Sequence, residues 1–194
     1  MIHHGGFNIY GKTIGIMILE TSFPRIPGDI GNATSFDFPV RYKIVKGVTP
    51  KRIIHKFDEK ILVNFIEAAK ELENDGVKAI TTTCGYLAIF QKQLSMAVDI
   101  PVFTSSLLQI PMVHRMLKPT GKIGLLVAND KTFCKDILKE VGAENIQVVI
   151  AGLYGNIEFD RIHKGNIMDI KKATEEVILL SKNLVEKDPL IKAK

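Results

Sequence analysis

The chain holds two cysteines, and their sequence neighbours separate them. Cys84 lies in Thr81-Thr82-Thr83-Cys84-Gly85, between the short apolar run Val77-Lys78-Ala79-Ile80 and a segment from Tyr86 to about Met96 that reads as helix. At such a strand-to-helix turn, free backbone N–H groups and the positive end of the helix dipole point at the opening residue. That setting favours a thiolate over a thiol and can hold an anion. Gly85 lets a bound group approach the main chain. Thr82, Thr83, Thr104, Ser105 and Ser106 add hydroxyls at the ends of two strands expected to be neighbours, and with Gly85 and Tyr86 they make up the expected carboxylate site around Cys84. A buried structural cysteine among capping hydroxyls has the same composition, and residue type and position leave the two readings level.

Cys134, in Lys131-Thr132-Phe133-Cys134-Lys135, falls in the early turns of an expected helix and reads as structural or incidental. His3, His4, His55, His114 and His163 show no metal-ligand spacing with Cys or acids, so no metal site is expected. Neither G-x-x-x-x-G-K-[ST] nor a G-x-G-x-x-G after the first strand is present, which removes the usual nucleotide signatures. No cofactor is expected. Arg25 and Arg41 could grip a substrate acid or simply be solvated, and Glu20 and Asp29 are equally ambiguous.

The elements that must position these residues alternate. Ile14-Gly15-Ile16-Met17-Ile18-Leu19 reads as a buried strand. Thr21 to about Pro50, carrying Pro24, Pro27, Gly28, Gly31, Pro39 and Gly47, reads as a long loop. Ile61, Leu62, Phe65, Ala68, Ala69 and Leu72 recur at helical spacing, and Asn74-Asp75-Gly76 stops that helix. Strand and helix then alternate through Pro101-Val102-Phe103, a helix from Leu107 to Leu117 kinked at Pro111, a strand from Ile123 to Ala128, a helix from Lys131 to Val141 and a strand from Gln147 to Ile150. A long helix with the stripe Ile170, Ala173, Val177, Leu180 and Leu184 follows, and Leu190-Ile191 begins a further strand. This order argues for an α/β fold with parallel sheets and helices on both faces. Pro119-Thr120-Gly121 marks the boundary between lobes spanning 1–118 and 119–194. Only Lys192-Ala193-Lys194 follow Ile191, so the second lobe is expected to be incomplete and the polypeptide truncated at its C-terminus.

A polypeptide of 194 residues with 46% hydrophobic content is long enough to bury a sizeable core. No apolar run reaches the roughly 18 to 20 residues of a membrane helix. Met1-Ile2-His3-His4-Gly5-Gly6 lacks the features of a signal peptide, so a cytoplasmic location is the default. The net charge of +5 comes from scattered Lys and Arg, which argues for solvated faces and no nucleic-acid partner. The oligomeric state is open, with a homodimer among the options.

Several strings resemble the aspartate/glutamate racemase superfamily (Asp/Glu/hydantoin racemases), and within it a bacterial group. They are Phe23-Pro24-Arg25-Ile26-Pro27-Gly28-Asp29-Ile30-Gly31-Asn32, Thr82-Thr83-Cys84-Gly85-Tyr86-Leu87-Ala88, Val102-Phe103-Thr104-Ser105-Ser106-Leu107-Leu108-Gln109 and Glu158-Phe159. The resemblance implies two pseudosymmetric flavodoxin-like lobes and a cofactor-independent racemase or isomerase of a small, amino-acid-type carboxylic acid. In it, one cysteine takes the α-proton and a second delivers a proton to the opposite face. Cys84 matches the first cysteine. An Asn-Thr pair commonly follows it in the amino-acid racemases, where this sequence has Gly85-Tyr86, which leaves the substrate open. The second cysteine is expected after a strand that follows the long helix, and Cys134 does not match it. The alternatives are a one-cysteine decarboxylase or isomerase and an acid-binding protein without turnover.

Overall fold

The computed structural model describes residues 5–55 and 58–193. His3, His4 and the rest of the first four residues, read above for a signal peptide and for metal ligands, lie outside the described residues, as does Lys194. The first sheet contains β1 (Ile14–Leu19), β2 (Val40–Val45), β3 (Ala79–Thr82) and β4 (Val102–Phe103) in the order β2-β1-β3-β4. The second contains β5 (Lys122–Val127), β6 (Val148–Gly152) and β7 (Ile191–Ala193) in the order β6-β5-β7. Every pairing is parallel. In each sheet the first strand is central, flanked by the second and third, so the lobes repeat one topology.

Helices α1 (Leu62–Asn74), α2 (Gln91–Ser95), α3 (Ile110–Met116), α4 (Lys135–Glu140), α5 (Ile157–Gly165) and α6 (Ile170–Lys187) make the crossovers and cover the sheets. The helical spacing read in α1 has its physical basis here: Phe65, Ala68, Ala69 and Leu72 are buried in one cluster with Met17 of β1 and Ile80 of β3. Burying the Phe65 side chain contributes roughly 2–3 kcal/mol. Gly15 is fixed by the same contact, since a methyl there would lie 3.1 Å from both Leu72 Cδ1 and Val77 Cγ2.

The structure departs from the sequence reading in several places. The expected loop from Thr21 to Pro50 contains β2, an edge strand with only Val45 fully buried, which gives no long apolar run to recognise. Residues after Cys84 form a 3-10 helix, Gly85–Phe90, before the short α2. The helix expected from Leu107 divides likewise, into 3-10 turns over Ser106–Gln109 and then α3, with Pro111 in the first turn where it has no hydrogen bond to break. Helix α4 starts at Lys135 rather than Lys131, and α5 was not foreseen. Of the stripe on α6, only Leu184 is fully buried, while Ile170 and Val177 are exposed.

Candidate active site

Cys84 sits two residues beyond the carboxyl end of β3 and is the N-cap residue of the following 3-10 helix. Its backbone is tied on both sides: the N–H donates to Thr82 Oγ1 at 3.3 Å, and the carbonyl accepts from the Leu87 N–H at 3.0 Å. The Thr82 hydroxyl in turn donates to the Thr104 carbonyl at 2.7 Å, linking the ends of β3 and β4. The ends of the two strands are therefore neighbours, as expected.

The thiol does not have the expected depressed pKa. Burial pushes it up to about 11, against a weaker opposing effect from the Tyr86 and Leu87 N–H groups aimed at the sulfur. The side chain is only 8% exposed, and the helix it caps opens as a 3-10 segment, so desolvation outweighs the field of the helix end. Cys84 is therefore a thiol at neutral pH.

A cavity of about 340 Å³ opens over Cys84. Thr83, Gly85, Tyr86, Ser105 and Ser106 line it on the first lobe. Gly85 faces Ser105 closely enough that a methyl would lie 3.2 Å from its Oγ. The Ser105 hydroxyl also caps the next helix, accepting from the Leu107 N–H at 3.2 Å. Thr82 and Thr104, expected as substrate contacts, are buried and do not line the cavity. Their hydroxyls are committed within the protein, Thr104 Oγ1 donating to Gln91 Oε1 at 2.6 Å. These two threonines sit behind the residues that line the cavity.

Tyr86 is 7% exposed and crosses between lobes, its hydroxyl donating to the Asn129 carbonyl at 2.7 Å and accepting from the Asn129 N–H at 2.9 Å. Its ring meets Phe133 edge-on, with centroids 5.7 Å apart. Burial is the main cause raising the phenol pKa.

The second lobe closes the cavity with Leu126, Val127, Ala128, Leu153, Phe159 and His163, and the loop after β1 adds Phe23 and Arg25. Arg25 is clamped by Asp29 Oδ1 at 2.7 Å and Thr21 Oγ1 at 3.2 Å, with its guanidinium 4.7 Å from the centroid of the Phe23 ring. Arg41 lies elsewhere, paired with Asp75 across an exposed edge, and Glu20 accepts from the Gly47 N–H. Cys134 is exposed, caps α4 by accepting from the Asp136 N–H at 3.4 Å, and does not line the cavity. Among the described residues, no group of three His, Cys, Asp or Glu side chains could hold a metal ion, and no helix is long and apolar enough to cross a membrane.

Sequence reasoning did not assign Phe159, His163, Leu153 or Asn129 to the site. Phe159 stands in a string that resembles a known family, but nothing in its spacing points at a cleft 75 residues away in sequence from Cys84. The spacing of His163 bears only on metal binding. The placement of these residues depends on how the second lobe docks on the first, which no local pattern records.

No family model matches the chain. Among characterised proteins, the chain is 30% identical over 193 residues to a dimethylsulfoniopropionate lyase of Durusdinium sp. clade D, covering 96% of this chain and 64% of the lyase. It is also 30% identical over 181 residues to dimethylsulfoniopropionate lyase 7 of Emiliania huxleyi, covering 90% and 53%. The chain thus spans less than two thirds of the length of these curated relatives. Among solved structures it resembles unliganded arylmalonate decarboxylase, with a TM-score of 0.56 at 12% identity over 92% of this chain and 74% of the other. For the aspartate racemase of Picrophilus torridus the TM-score is 0.53 at 18% identity, covering 89% and 76%. At such identities the likeness speaks to architecture: the chain has the two-lobed α/β fold with parallel sheets shared by aspartate racemase and arylmalonate decarboxylase.

Proposed function

We propose that the chain is an enzyme akin to the racemases and decarboxylases of this fold and to the lyases it matches in sequence. In this reading the cleft binds a small carboxylic acid, and Cys84 exchanges a proton with the carbon next to the carboxylate. The observation that carries it is the convergence on Cys84 of two strand ends with the backbone N–H groups of Tyr86 and Leu87. Ser105 and Ser106 face the same cavity. A carboxylate set against the Tyr86 N–H and the serine hydroxyls would have its developing enolate-like charge stabilised as the α-proton leaves.

The lyase relatives favour one outcome within that group. The acid in their name carries a carboxylate and a dimethylsulfonium group on the carbon beyond. When a thiolate takes its α-proton, the C–H electron pair forms the C=C bond and the C–S bond breaks with its electrons, releasing neutral dimethyl sulfide and acrylate. One base on one face suffices for elimination, whereas racemisation needs a proton donor on each face. A thiolate whose thiol holds its proton up to about 11 is scarce at neutral pH but strongly basic once formed.

The raised thiol also favours a second reading, an acid-binding protein without turnover. Incubation in D2O with dimethylsulfoniopropionate and, separately, with each enantiomer of aspartate separates the two. Cys84-dependent sulfide release or α-deuterium incorporation, lost in Cys84→Ala, supports catalysis. Binding of the acid with neither signal sinks the catalytic reading and leaves the second.

A further inference from the structure

The far wall of the cleft differs from the wall around Cys84. Phe23, Phe159 and His163 meet there, with ring centroids 5.0 Å apart for Phe23 and His163 and 4.2 Å apart for Phe159 and His163. Leu126, Val127 and Leu153 line the same cavity. Among the described residues, no Asp or Glu side chain lines the cavity, and the one permanently charged lining group is a cation, Arg25. That guanidinium is already held by Asp29 at 2.7 Å and by the Phe23 ring.

A free α- or β-amino acid brings a compact, strongly hydrated ammonium into the cleft along with its carboxylate. Removed from water, that group needs a carboxylate or several acceptors in fixed positions, or its desolvation weakens binding. This wall presents aromatic rings and aliphatic carbon, and the Arg25 guanidinium, already paired with Asp29, repels either kind of cation. A bulky alkyl group, or a cation whose charge is spread over methyl groups, is weakly hydrated and gains from the same surface, the cation through the ring faces as well.

From this we infer that Phe23, Phe159 and His163 form a specificity wall. The wall admits carboxylic acids whose far end is alkylated and rejects those whose far end is a free ammonium. The inference rests on the carboxylate reading above and deepens it, placing amino-acid substrates of the racemase type outside the range of this cleft.

Four acids test it by calorimetric binding to the 194-residue chain: 4,4-dimethylpentanoate, 3-(trimethylammonio)propanoate, whose trimethylamine is a far poorer leaving group than dimethyl sulfide, β-alanine and L-aspartate. The first two are expected to bind at least about tenfold more tightly than the last two. Phe159→Ala is expected to shrink that difference to about threefold or less. Phe159→Leu is expected to keep the affinity for 4,4-dimethylpentanoate while losing that for the trimethylammonio acid. Should the variants fail to fold, the series on the native protein decides alone. Binding of β-alanine or aspartate as tight as that of the alkylated acids overturns the specificity wall and leaves the carboxylate site standing. Failure of all four to bind overturns the carboxylate site itself, and the wall with it.

Discussion

The Tyr86 hydroxyl donates to the carbonyl of Asn129 and accepts from the N–H of the same residue, so a phenol from the turn after Cys84 closes two hydrogen bonds on the backbone of the other lobe. Tyr86 is also the second residue of the 3-10 helix that Cys84 caps. One residue thus both joins the lobes and belongs to the turn that positions the thiol.

Tyr86→Phe tests that coupling. It removes the phenolic oxygen and leaves both Asn129 backbone groups without that partner, a loss of about 1–3 kcal/mol. Urea unfolding is expected to show that decrease, and iodoacetamide is expected to reach Cys84 faster than in the native protein. Unchanged stability and unchanged alkylation would show that the lobes are held together elsewhere.

The thiol sets a pH dependence of stability. The folded protein keeps the Cys84 proton up to about 11, whereas an unperturbed thiol releases it near 9.0. Between those values the unfolded state binds fewer protons than the folded one, so stability falls as pH rises, by up to about 3 kcal/mol over the whole interval. Below about 9 the contribution is constant. Cys84→Ala is expected to flatten this part of the profile, measured by denaturant midpoints at a series of pH values.

Catalysis by the same group runs in the opposite direction. If the thiolate is the base, turnover rises about tenfold per pH unit towards 11, because each unit raises the ionised fraction tenfold. A profile that levels off near neutrality would mean that bound substrate lowers the thiol pKa or that another group takes the proton.

Gly85→Ala probes the carboxylate end. The added methyl would lie 3.2 Å from Ser105 Oγ, tight enough to push the serine by a few tenths of an ångström. Stability is expected to change by about 1 kcal/mol or less, with affinity for propionate falling about fivefold or more because the close approach to backbone N–H groups is lost. Calorimetry and thermal melting separate the two effects.

Glu158 is buried, accepting from the Asp169 N–H at 2.7 Å and from Arg161 Nη1 at 3.0 Å, and so pins the start of α6 to α5. Glu158→Gln keeps the shape but weakens both bonds and is expected to lower stability by about 1–3 kcal/mol. Because Phe159 is the next residue, the same variant tests whether the aromatic wall depends on this anchor.

Much of the architecture was legible because parallel strands covered on both faces read as continuous apolar runs, as in Ile14–Leu19 and Lys122–Val127. Strand β2 escaped because an edge strand has less to bury and this one lies among Gly and Pro. Cys84 was legible as a position, since a strand-to-helix turn has local markers. Its ionisation was not, because desolvation depends on the walls around the thiol, and Ile54 and Phe133 come from distant segments. The orientation of the threonines was hidden for a related reason. Their sequence positions place them at strand ends, but whether a hydroxyl faces the cavity or the neighbouring strand depends on the packing of β3 against β4, and Thr82 and Thr104 face inward.

Burial has one further consequence. Cys84 is enclosed while Cys134 lies exposed at the start of α4, so one polypeptide carries a slow thiol and a fast one. A disulfide reagent added in excess should therefore consume its first equivalent at a rate set by collision and its second at the rate at which the cleft breathes. Once that slow rate no longer rises with reagent concentration, it equals the frequency of opening, without a label or a substrate.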